Sequence, residues 1–318
     1  MRKKVYFIIN LCIATFLLAG CANKQIVKPE TPKIKKDLNL KIMTTNYLLY
    51  GLVKDIVKDK NDVEFMFKSE QEQWEYNFTE DGVNNISKKD IFFYSGGDFE
   101  PWVGSFVDSL NKNKVTVLNV SRGIKIILRD EPAKYSFKKK VTEVKDNPYY
   151  WLDIDKYKTE IFNIEKTIEN KDPMNKKYYE DNYHDQLSKV DVYDKKLKEI
   201  YKGLEGYTFL VQGDKLDYFT KYMGFNVVKL PVNFSFKDTE KDINKSIEEK
   251  LSKADKVMFL YAEDTDVTVN KDIIAKYSMK DSKIAVYKYR ASYLDILKEN
   301  CESLGKWEIP ESDTLYPH

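Results

Sequence analysis

The stretch that decides the fold is PMNKKYYEDNYHDQLSKVDVYDKKLKEIYKGL, from Pro173 to Leu204. It has no proline after its first residue, and apolar residues recur along it at steps of three or four, which predicts one long amphipathic helix. Pro173 suits the first turn of such a helix, and Gly206 lies just past its end. The recurring positions are Tyr179, Tyr183, Leu187, Val190, Tyr193, Leu197, Ile200 and Leu204.

Strands and helices alternate on both sides of this stretch. Before it we expect strands at 40–45, 63–67, 91–97 and 115–120, and after it at 207–212, 226–231, 256–263 and 283–289. Such alternation is typical of α/β layers with parallel sheets. We therefore predict two α/β lobes with mostly parallel sheets, joined by a long rigid linker helix. Ligands of such sheets bind beyond the carboxyl ends of the strands, which places a ligand cleft between the lobes.

The first residues have the pattern of an export signal. A basic start and an apolar run are followed by Leu18-Ala19-Gly20-Cys21, which is typical of a lipobox. We expect lipid on Cys21 to anchor the chain to the cell membrane, on its extracytoplasmic face. The predicted organisation is a signal peptide at 1–20, a lipid-proximal tether at 21–37, an N-terminal α/β lobe at 38–152, linker helices at 153–205 and a C-terminal α/β lobe at 206–318.

Composition excludes several classes of function. The formal net charge is +2 and falls when the basic residues of the signal peptide are removed, so a nucleic-acid partner is not expected. Cys301 is the one cysteine left besides Cys21 and the signal-peptide residue Cys12, and His184 and His318 are the only histidines. No Gly-x-Ser-x-Gly, phosphate-loop or His-Glu-x-x-His motif is present, so we predict a binding protein and not an enzyme.

Four segments, read in order, resemble the metal-binding solute-binding lipoproteins of zinc and manganese ABC transporters. They are DIFFYSGGDFEPWV, NPYYWLDIDKY, DPMNKKYYEDNYHDQLSKVDVYDKKLKE and DYFTKYMGF. The resemblance spans Leu38 to Ile296. It implies an ABC transporter permease as partner and a divalent cation, Mn or Zn, as a possible ligand.

The resemblance also implies where ligands should lie. In the loop SEQEQWEYNFTEDG (Ser69 to Gly82), the family's first histidine falls on Trp74 and its tyrosine on Tyr76. The second histidine falls on Tyr149, the third falls near Gly213, beside Asp214, and the acidic ligand falls on Lys288. None of these positions carries the imidazole or thiolate that zinc prefers. The His-rich loop of some zinc members is also missing, because 129–147 contains no histidine.

Three hypotheses for the cleft follow. In the first, a hard cation such as manganese binds through oxygen, with candidate ligands Glu72, Glu75, Asp153, Asp214, Glu263 and Asp264. In the second, the ammonium of Lys288 replaces the metal and a small organic solute binds. Aromatic walls would then come from Trp74, Tyr76, Tyr149 and Tyr150, with Lys288 or Arg290 contacting a carboxylate and Glu75 or Asp214 an amine.

In the third hypothesis, the cleft has no specific ligand, and the chain is a surface or adhesin-like lipoprotein that takes no part in transport. Across the three hypotheses, the predicted cleft residues are Trp74, Glu75, Tyr76, Tyr149, Asp214 and Lys288.

Overall fold

The computed structural model describes residues 38–110, 114–137, 140–232 and 241–307. The signal peptide, Cys21 and His318 lie outside these residues. Within the part of the chain that is described, no helix has both the length and the apolar character needed to cross a membrane.

The first lobe is built on a four-stranded parallel sheet with strand order β2-β1-β3-β4. Its strands are β1 (Lys41–Asn46), β2 (Asp62–Phe67), β3 (Ile91–Tyr94) and β4 (Thr116–Asn119). Its helices are α1 (Tyr47–Val57), α2 (Glu70–Trp74), α3 (Glu80–Ile86) and α4 (Val103–Leu110). The loop predicted at 69–82 therefore contains a short helix, α2. Ser69 begins it, because the Ser69 side chain accepts a hydrogen bond from the backbone N–H of Glu72.

An antiparallel hairpin follows the first sheet, and the sequence analysis did not predict it. Its strands are β5 (Leu128–Phe137) and β6 (Lys140–Asp146). A 3-10 turn at Tyr150–Leu152 then leads to helix α5 (Ile154–Lys171). After a second 3-10 turn at Pro173–Asn175, helix α6 (Lys176–Gly203) runs without interruption, which confirms the long helix.

The second lobe is another four-stranded parallel sheet, with strand order β10-β9-β7-β8. Its strands are β7 (Tyr207–Gln212), β8 (Asn226–Leu230), β9 (Lys256–Ala262) and β10 (Lys280–Ile284), and its helices are α7 (Asp217–Met223), α8 (Lys241–Leu251), α9 (Lys271–Lys276) and α10 (Tyr293–Gly305). The strand predicted at 283–289 is shifted, because β10 ends at Ile284. Beyond it, backbone N–H groups donate to side chains instead of to a neighbouring strand.

One hydrophobic cluster runs through both lobes and the helices between them. It contains Ile42 of β1, Ile161 of α5, Val190 of α6 and Leu260 of β9, all 1% exposed or less. Two smaller clusters cover the opposite faces of the two sheets. The central strands of each parallel sheet are therefore buried on both faces, as expected for α/β layers.

Candidate functional site

The residues that follow strands β2, β7 and β9 meet between the lobes. Glu70 begins α2 just after β2, Lys215 follows β7, and Asp264 follows β9. The Lys215 ammonium donates to Glu70 Oε2 at 3.3 Å and forms an ion pair with Asp264. One cation therefore joins a carboxylate of the first lobe to a carboxylate of the second.

Tyr149 forms the aromatic side of this contact. Its side chain is buried, its hydroxyl donates to Glu70 Oε2 at 3.0 Å, and the Lys215 ammonium lies 5.2 Å from the centre of its ring. Burial raises the pKa of Tyr149, and the charge of Glu70 raises it further. Burial opposes the charge of Lys215, yet Tyr149, Glu70 and Asp264 together raise its pKa above the usual value. At neutral pH the centre of the cleft therefore holds a neutral phenol and a charged ammonium.

A cavity of about 660 Å³ opens beside this contact, between the β5–β6 hairpin and the carboxyl ends of β7, β8 and β9. Its wall includes Arg129, Tyr149, Asp214, Lys215 and Asp264. A smaller cavity of about 250 Å³ lies under α2. It is lined by Glu70, Gln71, Trp74, Phe99, Arg129, Pro148 and Tyr149. Both volumes are far larger than a bare metal ion needs, and the larger one falls in the range typical of small-molecule sites.

Three of the predicted cleft residues lie at these cavities, namely Trp74, Tyr149 and Asp214. Trp74 lines the smaller cavity and meets Tyr135 of the hairpin edge to face, with ring centres 5.7 Å apart. Asp214 is buried, and both its side chain and its backbone carbonyl accept hydrogen bonds. Its Oδ1 accepts from Lys229 Nζ at 2.6 Å, and its carbonyl oxygen accepts from Asn147 Nδ2 at 2.7 Å.

Three others lie elsewhere. The ring of Tyr76 packs into the first lobe, with its centre 4.9 Å from that of Phe67 and 4.8 Å from that of Trp102. Glu75 is exposed, and its Oε1 accepts from Gln71 Nε2 at 3.0 Å. Lys288 is exposed too and pairs with Glu299 of α10 at 2.9 Å. The ammonium that lies between the lobes therefore belongs to Lys215, whereas the ammonium of Lys288 pairs with a carboxylate on the surface.

The remaining aromatic and cationic candidates also have other partners. Tyr150 is fully buried, with its hydroxyl 2.9 Å from the carbonyl oxygen of Ser95 and 3.1 Å from Glu160 Oε1. Arg290 is exposed and lies over the ring of Tyr289, 5.3 Å from its centre. His184 is exposed on α6.

The oxygen candidates for a cation do not converge. Asp153 caps α5 by accepting from the backbone N–H of Asp155 and Lys156, and Glu72 accepts from the backbone N–H of Lys68. Both carboxylate oxygens of Glu263 accept backbone N–H groups beyond β10. Glu263 does line a third cavity, which also contains Glu70, Lys215 and Asp264.

A grouping suited to a metal ion occurs at another place. Within the described residues, the only three carboxylate, imidazole or thiol side chains close enough to share an ion are Glu165, Glu169 and Glu180, on α5 and α6. Two lysines already neutralise this group: Lys166 lies 2.6 Å from Glu169, and Lys176 lies 2.5 Å from it. In the part of the chain that the structure describes, the cleft thus presents a pair of carboxylates around an ammonium, and the one histidine there, His184, lies exposed on α6.

The sequence analysis missed Glu70, Lys215 and Arg129. A positional signal existed for two of them. Glu70 lies in the loop assigned to the first ligand, and Lys215 directly follows the position assigned beside the third. Arg129 had no such signal, because it belongs to the hairpin that was not predicted.

Comparisons with known proteins agree with this architecture. Residues 42–306 match the family described as "Zinc-uptake complex component A periplasmic" (ZnuA). The high-affinity zinc uptake system protein ZnuA of Bacillus subtilis (strain 168) is 27% identical over 310 residues, which cover 94% of this chain and 95% of that protein. The manganese ABC transporter substrate-binding lipoprotein PsaA of Streptococcus anginosus is 25% identical over 324 residues, covering 96% and 98%.

Solved structures show the same fold. The metal-dependent lipoprotein YcdH from Bacillus subtilis has a TM-score of 0.69 at 24% identity, covering 84% of this chain and 98% of that one. The Zn(II)-bound ZnuA-like domain of AdcA from Streptococcus pneumoniae has a TM-score of 0.66 at 19% identity, covering 85% and 99%. The α/β fold class is confirmed. These relatives are named as uptake and substrate-binding components and not as enzymes, as the sequence predicts. Because the match spans most of its length, the chain belongs to the zinc-uptake complex component A family, the resemblance first indicated by its motifs.

Proposed function

We propose that this chain is the extracytoplasmic solute-binding component of an ABC transporter. Lipid on Cys21 holds it at the membrane, beside a permease that receives its cargo. Family membership supports this role, because the relatives are named as zinc uptake and manganese ABC transporter components. The cargo binds in the cleft between the lobes, beside the contact that Glu70, Lys215 and Asp264 form.

The observation that carries the choice of cargo is the position of Lys215. Its ammonium lies between two carboxylates of opposite lobes, which is where a cation would otherwise be held. Two cations a few ångströms apart repel by several kcal/mol at the effective dielectric of a protein site. The cargo we propose is therefore a small organic solute, bound in the cavities that flank the ammonium.

A divalent cation is the second candidate, and one observation favours it. Glu70 and Asp264 reach the same point from the two lobes, so withdrawal of the Lys215 side chain leaves two oxygen ligands facing each other. Manganese accepts carboxylate ligands more readily than zinc does. In this case the bound cation replaces the Lys215 ammonium between Glu70 and Asp264.

The test uses the protein without residues 1–20, after a chelator has removed any bound metal ions. Equilibrium dialysis measures the binding of Zn²⁺ and Mn²⁺, and thermal unfolding is followed with a panel of amino acids, carboxylic acids, amines and sugars. An organic cargo raises the unfolding midpoint while both cations stay below one ion per chain. One tightly bound ion per chain establishes the second candidate instead. If no cation and no solute binds, the proposed transport function is wrong.

A further inference from the structure

The two cavities beside the central contact share part of their wall. Arg129 and Tyr149 line both the cavity of about 660 Å³ and the cavity of about 250 Å³. The smaller cavity is mostly apolar, with Trp74, Phe99 and Pro148 in its wall. A ligand that reaches from one cavity to the other would therefore meet Arg129 and Tyr149, the two residues that the walls share.

One N–H group of the Arg129 guanidinium is bound within the protein, and the others remain available to a ligand. Its Nε donates to the backbone carbonyl of Asp146 at 2.9 Å, across the hairpin that carries both residues. Among residues 38–110, 114–137, 140–232 and 241–307, no carboxylate lies within 4 Å of its guanidinium, and no protein acceptor receives its terminal nitrogens. The carboxylate of Asp146 is near enough for the charge of Arg129 to oppose the rise in the Asp146 pKa that burial and Asp98 cause. A guanidinium has five N–H donors in a rigid fork, and that fork matches a carboxylate bidentately.

The other cations near the cavities are already paired. Lys215 is held by Glu70 and Asp264. Lys229, behind the wall, is held by Asp130 at 2.6 Å and by two further aspartates, Asp214 and Asp217. Of the described residues that line these two cavities, Arg129 is thus the cation whose charge is not balanced by an ion pair.

The surrounding charges indicate which anion fits. The acidic side chains of Glu131, Asp264 and Asp266 also line the larger cavity. They would repel a doubly charged phosphate group more strongly than a singly charged carboxylate, because the repulsion scales with the product of the charges. The same acidic side chains can receive an amine or hydroxyl of the ligand.

We infer that the two cavities together bind a small organic solute with a carboxylate, which Arg129 contacts while the apolar part of the solute packs against Trp74. This inference rests on the proposed function and specifies the chemical class of its cargo. Trp74 offers a flat apolar face for a ring or an alkyl chain. Arg129 acts here as the residue that selects for the anionic group.

The experiment compares acids with their neutral amides. The probes are 3-phenylpropanoate, L-phenylalanine, succinate and hexanoate, each beside the matching primary amide, at up to 5 mM by calorimetry. The proteins are the wild type, Arg129→Gln, Arg129→Lys and the control Arg122→Gln, which changes an exposed arginine outside both cavities. Unfolding midpoints establish that each variant is folded.

We expect at least one acid to bind one molecule per chain, tenfold or more tightly than its amide. Arg129→Gln should remove that preference, Arg129→Lys should retain part of it, and Arg122→Gln should leave it unchanged. Equal affinity of acid and amide, an unchanged preference in Arg129→Gln, or no binding of any acid overturns the inference. In those cases the proposed function still stands if amines, sugars or cations bind in its own screen.

Discussion

Replacing Lys215 with methionine tests the central contact directly. The change shortens the side chain by one atom and removes the ammonium that joins Glu70 to Asp264. At an effective dielectric of about 20, two like charges about 6 Å apart repel by roughly 3 kcal/mol, which sets the scale of the repulsion between the two carboxylates. Solvent reduces this figure, because the side chains of Glu70 and Asp264 are 28% and 59% exposed. We therefore expect a loss of about 1–2 kcal/mol in the free energy of unfolding.

Urea unfolding with a chelator at pH 7.5 measures this loss, and Lys288→Met is the matched control. The ammonium of Lys288 pairs with Glu299 on the exposed surface, so its removal should change the free energy of unfolding by less than about 0.5 kcal/mol.

The same variant should gain affinity for cations. With the ammonium gone, Glu70 and Asp264 offer two oxygen ligands and an excess of negative charge, which suits a hard divalent ion. Equilibrium dialysis should find Mn²⁺ bound to Lys215→Met more tightly than to the wild type, and the bound ion should restore part of the lost stability. If the variant unfolds at the wild-type urea concentration and binds no more Mn²⁺, then the ammonium does not hold the two lobes together in the way described.

Three further predictions concern other parts of the chain. Trp74→Ala should weaken solute binding with little change in the free energy of unfolding, whereas Tyr76→Ala should lower that free energy by about 2–4 kcal/mol because its ring packs in the first lobe. Calorimetry and urea unfolding distinguish the two variants, and the reverse pattern contradicts our assignment. Burial raises the pKa of Glu160 from 4.5 to about 8, so the wild type should lose stability as the pH rises between these values. Glu160→Gln should reduce the loss of free energy of unfolding between pH 5.5 and 8.5 by an amount on the order of 2 kcal/mol, and an equal loss in both proteins, measured by urea unfolding, would exclude this. Cys21→Ala should abolish labelling of the expressed protein by radioactive fatty acid, and a labelled variant would disprove the lipobox.

The central strands β1, β3, β7 and β9 could be predicted from the sequence, because they are buried on both faces and are therefore nearly continuous apolar runs. The stretches VEFMF and YTFLVQ both proved to be strands. Helix α6 was predictable from its apolar period alone. The hairpin was not predictable, since its strands LRDEPAKYSF and KVTEVKD are mostly polar or charged and show little alternation to mark a buried face.

The centre of the cleft was predictable only in outline. The family resemblance located the loops that face each other, but it could not say which side chain turns inward. Lys215 meets Glu70 across 145 residues of sequence and Asp264 across 49, and only the packing of the lobes brings them together. The resemblance likewise gave no sign that the ring of Tyr76 packs inside its own lobe, against Phe67 and Trp102.

The hydrophobic cluster that passes through both sheets and through α5 and α6 has a consequence for cooperativity. The two lobes share this cluster of buried side chains, so either lobe expressed alone would expose a large part of its core to water. We expect the molecule to unfold in a single transition, with no stable half-folded intermediate. Admission of cargo would then depend on small rearrangements at the rim, where the hairpin and α2 border the cavities. A receptor built in this way would present nearly the same surface to its permease when empty and when loaded, so the permease would have to detect local changes at that rim.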